Sequence, residues 1–235
     1  MKKLKQKKYL FISFILLFAS NTAAKNAPWV GTDFQGFNCI GSDTNSWYGP
    51  FDFTIPEEKV RLKIVEQHHF NSNVENHIKG QEGYIGGDLN YTLMAGPNHH
   101  RALLSIIRLQ TKLNKKILVF KDKANLLPTP VECYFQRAIN FSPKDAGTYA
   151  LFGHYHKKIG QLKSAMKYYE KALSIQPNSA KIAYSYSLLL IKLNKFNKAL
   201  EFAKKAYKNP QTPPGLRRKL RALDQWPSPS GQTTN

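Results

Sequence analysis

One helix ending, repeated at a fixed interval, constrains this chain more than any other feature. Three segments close alike: Tyr91-Thr-Leu-Met-Ala-Gly-Pro97-Asn98, Arg137-Ala-Ile-Asn-Phe-Ser-Pro143-Lys144 and Lys171-Ala-Leu-Ser-Ile-Gln-Pro177-Asn178. Each reads as a helix end stopped by proline, which lacks the amide hydrogen of a helix interior and biases its predecessor away from helical backbone. Pro143 and Pro177 are 34 residues apart, and a further 34 reaches Gln211, one residue past Pro210. Pro97 to Pro143 is 46 residues, which is 34 plus a 12-residue insertion. A period of this size implies stacked units, each too small to bury its apolar face alone.

The best unit is Ala146–Ser179. Tyr149 and Phe152 supply large apolar positions on its first helix, and Gly153 the small position where two helices cross. Tyr155 lies one place before a further expected aromatic, and His156 stands at that place. Ala165, Tyr169 and Ala172 alternate small and large on the second helix, and Pro177 ends it. Small residues at crossings let helix axes approach to about 8–10 Å while large ones fill the grooves beside them. Lys158-Ile-Gly160-Gln161 reads as the turn between the helices, with Gly160 as terminator.

A 34-residue period of paired amphipathic helices with these residues resembles the tetratricopeptide repeat (TPR) family. The next unit, Ala180–Pro213, keeps Ala199 and Ala206 as small positions and Tyr186 as a large one. Ala183 and Ala203 replace aromatics there, and Ser187 replaces the glycine. Upstream, Phe135, Ala138 and Pro143 give a second helix, and His99–Leu113 its first, with Asn98 as N-cap. Lys115–Pro130 is the inserted loop, and Asp88–Ala95 the end of a still earlier unit capped by Asp88. In Pro214–Leu223, Leu216, Leu220 and Leu223 share one face, as a capping helix for the exposed end of a solenoid requires.

The expected fold is therefore all-α: a short α-solenoid of TPR-like helical hairpins, with an irregular amino-terminal arm and a carboxy-terminal capping helix. The expected layout is a signal peptide at 1–24, the arm at 25–87, the repeats at 88–226 and a disordered tail at 227–235. The resemblance implies a protein or peptide partner held in a groove along the first helices, where His154, Lys157, Lys181, Tyr184 and Leu188 fall. Family members that clamp a carboxy-terminal carboxylate carry Lys and Asn at groove positions occupied here by Ala150, His154 and Ser185, which disfavours that subclass.

Met1–Ala24 reads as an export signal. Lys2, Lys3, Lys5, Lys7 and Lys8 precede the apolar run Tyr9–Ala19, and Thr22-Ala23-Ala24 offers a cleavage site. The run is too short for an ordinary stop-transfer helix, so no transmembrane segment is expected after cleavage. A bacterial-style leader points to the periplasm, or to secretion. Export makes nucleic acid an unsuitable partner despite the formal charge of +20, and it delivers Cys39 and Cys133 to an oxidising compartment where they can pair. The alternative is two buried free thiols.

Charge is uneven. Residues 26–100 carry nine acidic and four basic side chains, and residues 101–235 carry 25 basic and six acidic ones. The basic half either solvates helix faces, attracts the acidic half, or contacts an anionic surface such as an envelope polymer or lipid. Lys163, Lys167 and Lys171 form a stripe on what the resemblance makes the outer, convex helix. In the arm, Lys25–Phe53 is rich in Gly, Asn and aromatics, a segment to dock on the helices. Its stretch Trp47–Phe53 packs either on a helix edge or in the groove as a built-in peptide. Val60, Leu62 and Ile64 alternate with charges as in a strand, and Ser72–Lys79 reads as a short helix.

Histidine is the one constellation with possible chemistry. His68, His69, His77, His99 and His100 lie close in sequence to Glu66, Glu75 and Asp88, a set able to bind zinc or copper. None of them is paired at the i, i+4 spacing that places two ligands on one helix face. No nucleophile elbow, phosphate-binding loop or paired-cysteine redox motif is present, so no cofactor and no enzyme activity is expected. The sequence reads as a non-catalytic protein-interaction module of the cell envelope. The alternatives are a metal-binding or metal-dependent envelope protein built on these histidines, and a binder of an acidic envelope polymer or lipid through the basic helical face.

Overall fold

The computed structural model describes residues 26–42, 48–114 and 126–227. The expected signal peptide and its cleavage site, Trp47, most of the inserted loop and residues 228–235 lie outside the described residues. Among those described there are ten helices and no strand, only an isolated bridge between Thr32 and Asn38. In chain order they are α1 (Pro56–His69), α2 (Ser72–Glu75), α3 (Ile85–Ala95), α4 (His100–Asn114) and α5 (Val131–Phe141). There follow α6 (Ala146–Lys158), α7 (Leu162–Ile175), α8 (Ala180–Lys192), α9 (Phe196–Ala206) and α10 (Gly215–Arg221). None of them is long and apolar enough to cross a membrane.

The hairpins α6/α7 and α8/α9 repeat one design. Gly160 (φ +86°) and Asn194 (φ +56°) end the first helices in left-handed backbone, 34 residues apart, at the two residue types that best tolerate it. Gly153 lies so close to α7 that a Cβ there would stand 3.1 Å from the Tyr169 ring and 3.2 Å from the Ala165 carbonyl oxygen. In the next hairpin Ser187 occupies the same crossing. Its buried hydroxyl donates to the Ala199 carbonyl oxygen at 2.6 Å, turning the steric contact into a bond. Tyr149, Phe152, Ala165, Tyr169, Ala172, Ala199 and Ala206 are all buried, and exposed Pro177 follows the end of α7.

Caps recur with the same register. The second residue after each proline closes the next helix: His99 Nδ1 accepts from Ala102 N, Asp145 from Gly147 N and Thr148 N, and Ser179 from Ile182 N. The cap of α4 is therefore His99 and not Asn98. Asn98 is buried instead, its side-chain oxygen accepting from Phe53 N and its amide donating to Asp52 and Asp145. Asp88 is likewise no cap. It lies in the first turn of α3, where its carboxylate accepts from Gln81 N at 2.6 Å and meets His69 Nδ1 at 2.9 Å.

Among the described residues two large apolar cores form, and a smaller third gathers Phe51, Leu62, Val65 and Ala95. Phe135 and Phe152 stack at 4.8 Å in the first, and Tyr169, Tyr186 and Leu190 fill the second. Leu216 and Leu220 of α10 close the second core. Leu223 falls beyond the end of α10 and is 40% exposed, so it leaves the expected apolar face.

Upstream the expected irregular arm contains helices. The supposed strand at Val60–Ile64 is the middle of α1, which starts with Pro56 at its first turn and Glu57 and Glu58 beside it. The buried residues are Leu62 and Val65, three apart, while Val60 and Ile64 face outward. Helical spacing therefore prevails over the accidental alternation. The expected helix at Ser72–Lys79 shortens to α2, with Asn71 capping it.

Residues 26–42 run along α5 and are bonded to it repeatedly. Phe34 N donates to Glu132, Gln136 donates to the Thr32 carbonyl oxygen, and Thr129 to that of Ile40. Cys39 and Cys133 form a disulfide. The stretch Tyr48–Thr54 crosses the corner between α3 and α4, with Phe51 N donating to the Ala95 carbonyl oxygen and Phe53 packed on His99 and His100. It packs on a helix edge, and Thr54 alone reaches the groove described next.

Candidate functional site

The first helices of the hairpins, α4, α6 and α8, stand side by side and line one face. Two cavities open along it. The larger, of about 710 Å³, lies between α4, α6, α7 and α8. Small residues create it: Ala146, Gly147 and Ala150 on one side of α6 leave room that larger side chains would fill. Arg101, Lys144 and Lys181 add positive charge to its lining, and Leu104, Leu151 and Ile182 add apolar surface.

A buried polar network sets one wall. Gly147 lets the His100 ring approach α6, since a Cβ at that position would meet the imidazole Cε1 at 2.4 Å. His100 Nε2 then lies 2.7 Å from Asp145, which also accepts from Thr148 and Asn98. Burial opposes the Asp145 charge, yet the bonds from His100, Thr148 and Asn98 hold its carboxyl below the ordinary carboxylate range. Asp145, the one carboxylate among the described residues lining either cavity, is thereby used internally.

The Tyr169 hydroxyl is buried in the lining of the first cavity, with the Ser185 side chain beside it. Burial pushes this phenol up.

The second cavity, of about 600 Å³, continues the face toward α10. His154 lines both cavities and joins them. Burial first, then Lys157, Lys158 and Arg108, push its imidazole down to about 4. Lys157, Lys158, Lys192 and Lys219 surround the second cavity together with Leu188, Ile191, Phe196 and Leu223. Burial, and after it the three neighbouring lysines, lower Lys157 to about 8.

Of the groove residues expected from sequence, Lys181 lines the first cavity, Lys157 and Leu188 the second, and His154 both. Tyr184 lines neither. It is half-buried with its hydroxyl beside Gly215, because α10 packs over that part of α8. Sequence reasoning missed Lys158, Lys192 and Lys219. Lys158 and Lys192 are 34 residues apart, so the period itself carried the signal.

The histidine-rich segment does not converge. His68 meets Glu82, His69 meets Asp88, His99 meets Glu66 and His100 meets Asp145, while buried His77 bonds Ser105. Both ring nitrogens of His99 are engaged, Nε2 with Glu66 at 2.7 Å and Nδ1 with Ala102 N at 3.1 Å. A neutral ring protonated at Nε2 satisfies both, and burial above all keeps this imidazole low. Among the described residues no three His, Cys, Asp or Glu side chains gather as a metal site, so the five histidines do not form one centre.

The family model of the tetratricopeptide repeat matches residues 146–179. The crossing, cap and turn of that matched hairpin recur one period later, in α8 and α9. No curated protein matches the chain. Among solved structures it is similar to a crystal structure of MamA, with a TM-score of 0.41 and 16% identity over 70% of this chain and 80% of that one. A second MamA crystal structure gives 0.39 and 16%, over 73% and 79% of the two chains. The MamA RS-1 ArsTM double mutant gives 0.39 and 19%, over 71% and 88%.

Proposed function

We propose that this protein is an exported, non-catalytic adaptor that holds a segment of a protein partner in the groove along α4, α6 and α8. The single observation that carries the reading is the continuity of that groove, two cavities sharing His154 on the inner helices of the repeat. A groove of mixed apolar and charged lining suits an extended peptide, whose backbone and side chains need both. The periplasm is the proposed location, on the strength of the Lys-rich leader and of a disulfide that an oxidising compartment maintains.

Photo-crosslinking from Ala150 inside the groove, compared with Lys167 on the opposite face, tests the adaptor reading in the intact cell envelope. A discrete adduct formed from Ala150 and absent from Lys167 supports it. Equal labelling from both positions, or none from Ala150, contradicts it.

A further inference from the structure

We propose that the second cavity binds the carboxylates of an acidic protein segment through Lys157, Lys158, Lys192 and Lys219, with the capping helix α10 forming part of the site. This rests on the groove reading above and names the chemistry of its occupant.

Four lysines line one cavity, and among the described residues no carboxylate does. None of the four forms a salt bridge with a described carboxylate. Gathering like charges in a recess is unfavourable unless a counter-charge arrives, and Lys157 is lowered first by burial and then by its three lysine neighbours. The four come from three elements, α6, α8 and α10, so packing of the repeat and its cap assembles the cluster; it is not a run of charge in sequence.

The rest of the lining selects among anions. Leu188, Ile191, Phe196 and Leu223 alternate apolar surface with the lysines, which a purely polar polyanion leaves unused. A peptide mixing acidic and apolar side chains satisfies both features and can continue past His154 into the first cavity.

The probe is a short fluorescein-labelled peptide of glutamates interrupted by leucines, followed by anisotropy against the full mature chain. Wild-type protein should bind it with an affinity that falls as salt rises. Replacing three cavity lysines together (Lys157→Gln, Lys192→Gln, Lys219→Gln) should weaken binding about tenfold or more. The same loss of charge on the outer stripe (Lys163→Gln, Lys167→Gln, Lys171→Gln) should change it by less than about twofold. Lys219→Gln alone, an exposed change on α10, should weaken binding by about two- to fivefold and guards against misfolding of the triple variant.

Equal weakening by both triple variants, an unaffected Lys219→Gln, or no wild-type binding at low salt would each overturn the proposal. Capture of phosphatidylglycerol vesicles in place of the peptide, lost in the cavity variant, overturns it in favour of lipid. If the peptide fails while the Ala150 adduct persists, the acidic ligand is wrong and the adaptor stands. If both fail, the groove reading fails with it.

Discussion

Arg137 Nε donates to the Ala27 carbonyl oxygen across 2.7 Å, fastening the start of the arm to the buried face of α5. The same guanidinium reaches the Leu93 carbonyl oxygen at 2.7 Å and that of Met94 at 3.4 Å, with Trp29 stacked at 5.1 Å. Among the described residues no carboxylate pairs with it, and burial lowers it to about 10, so it stays charged at neutral pH on carbonyl dipoles and an aromatic face. Arg137→Met should cost about 2–4 kcal/mol in urea unfolding, because three carbonyls lose their donor together. A midpoint within error of wild type contradicts that role.

The disulfide acts on the same arm from its other end. Cys39 and Cys133 are 94 residues apart, and closing a loop of that length removes about 4–5 kcal/mol of unfolded-chain entropy in the ideal case. The Cys39→Ala, Cys133→Ala variant should therefore melt well below the oxidised protein, and wild type in reductant should approach it. Calorimetry with and without reductant checks this. An unchanged melting temperature means the arm's hydrogen bonds suffice without the covalent tie.

Two equivalent crossings should respond differently to substitution. Gly153→Val drives side-chain atoms into Tyr169 and the Ala165 carbonyl, and should cost more than about 2 kcal/mol. Ser187→Ala removes one buried hydroxyl and should cost about 1 kcal/mol, with the hairpin retained. Equilibrium denaturation of both variants measures the difference. Similar small costs would mean that α6 and α7 are less closely packed than their geometry implies.

Stability should fall as the medium is acidified from about pH 6.5. His77 and His154 are lowered by burial to about 4, so between pH 6.5 and 4 the unfolded chain binds more protons than the folded one. The native state is fully favoured by these groups above 6.5 and loses that advantage as pH falls through the window. Glu66 and Glu75, held low chiefly by bonds from His99 and Arg101, extend the loss below their ordinary carboxylate values. Lys157, lowered to about 8, acts at the other end, where stability should rise from pH 8 toward 10.5. His154→Gln should flatten the dependence of the urea midpoint on pH between 7 and 4, and an unchanged slope contradicts the assignment.

The repeat was legible because its signals are local and redundant: proline after each second helix, small residues at crossings, Gly160 at the turn. What escaped is non-local. Val60, Leu62 and Ile64 alternate by chance over a span too short to separate a period of 2 from one of 3.6, and the burial of Leu62 with Val65 decides for helix. Arg137 looked like any repeat position, since only the arm packed against α5 makes it buried. Asn98 resembled a cap but lies one residue early, and its neighbour His99 serves instead. The basic end of the groove comes from three elements far apart in sequence. Only the period linking Lys158 to Lys192 hinted at it, and nothing pointed to Lys219 on the cap.

The most direct test of the groove is a nitrogen-15 NMR titration of the full mature chain with the acidic, leucine-containing peptide. Backbone signals of Ala150, His154, Lys181, Ser185 and Lys192 should shift and saturate together, while those of Lys163, Lys167 and Lys171 stay in place. Shifts confined to the outer stripe, or spread over every lysine with no saturation, would show that the inner face of the repeat is not the binding surface.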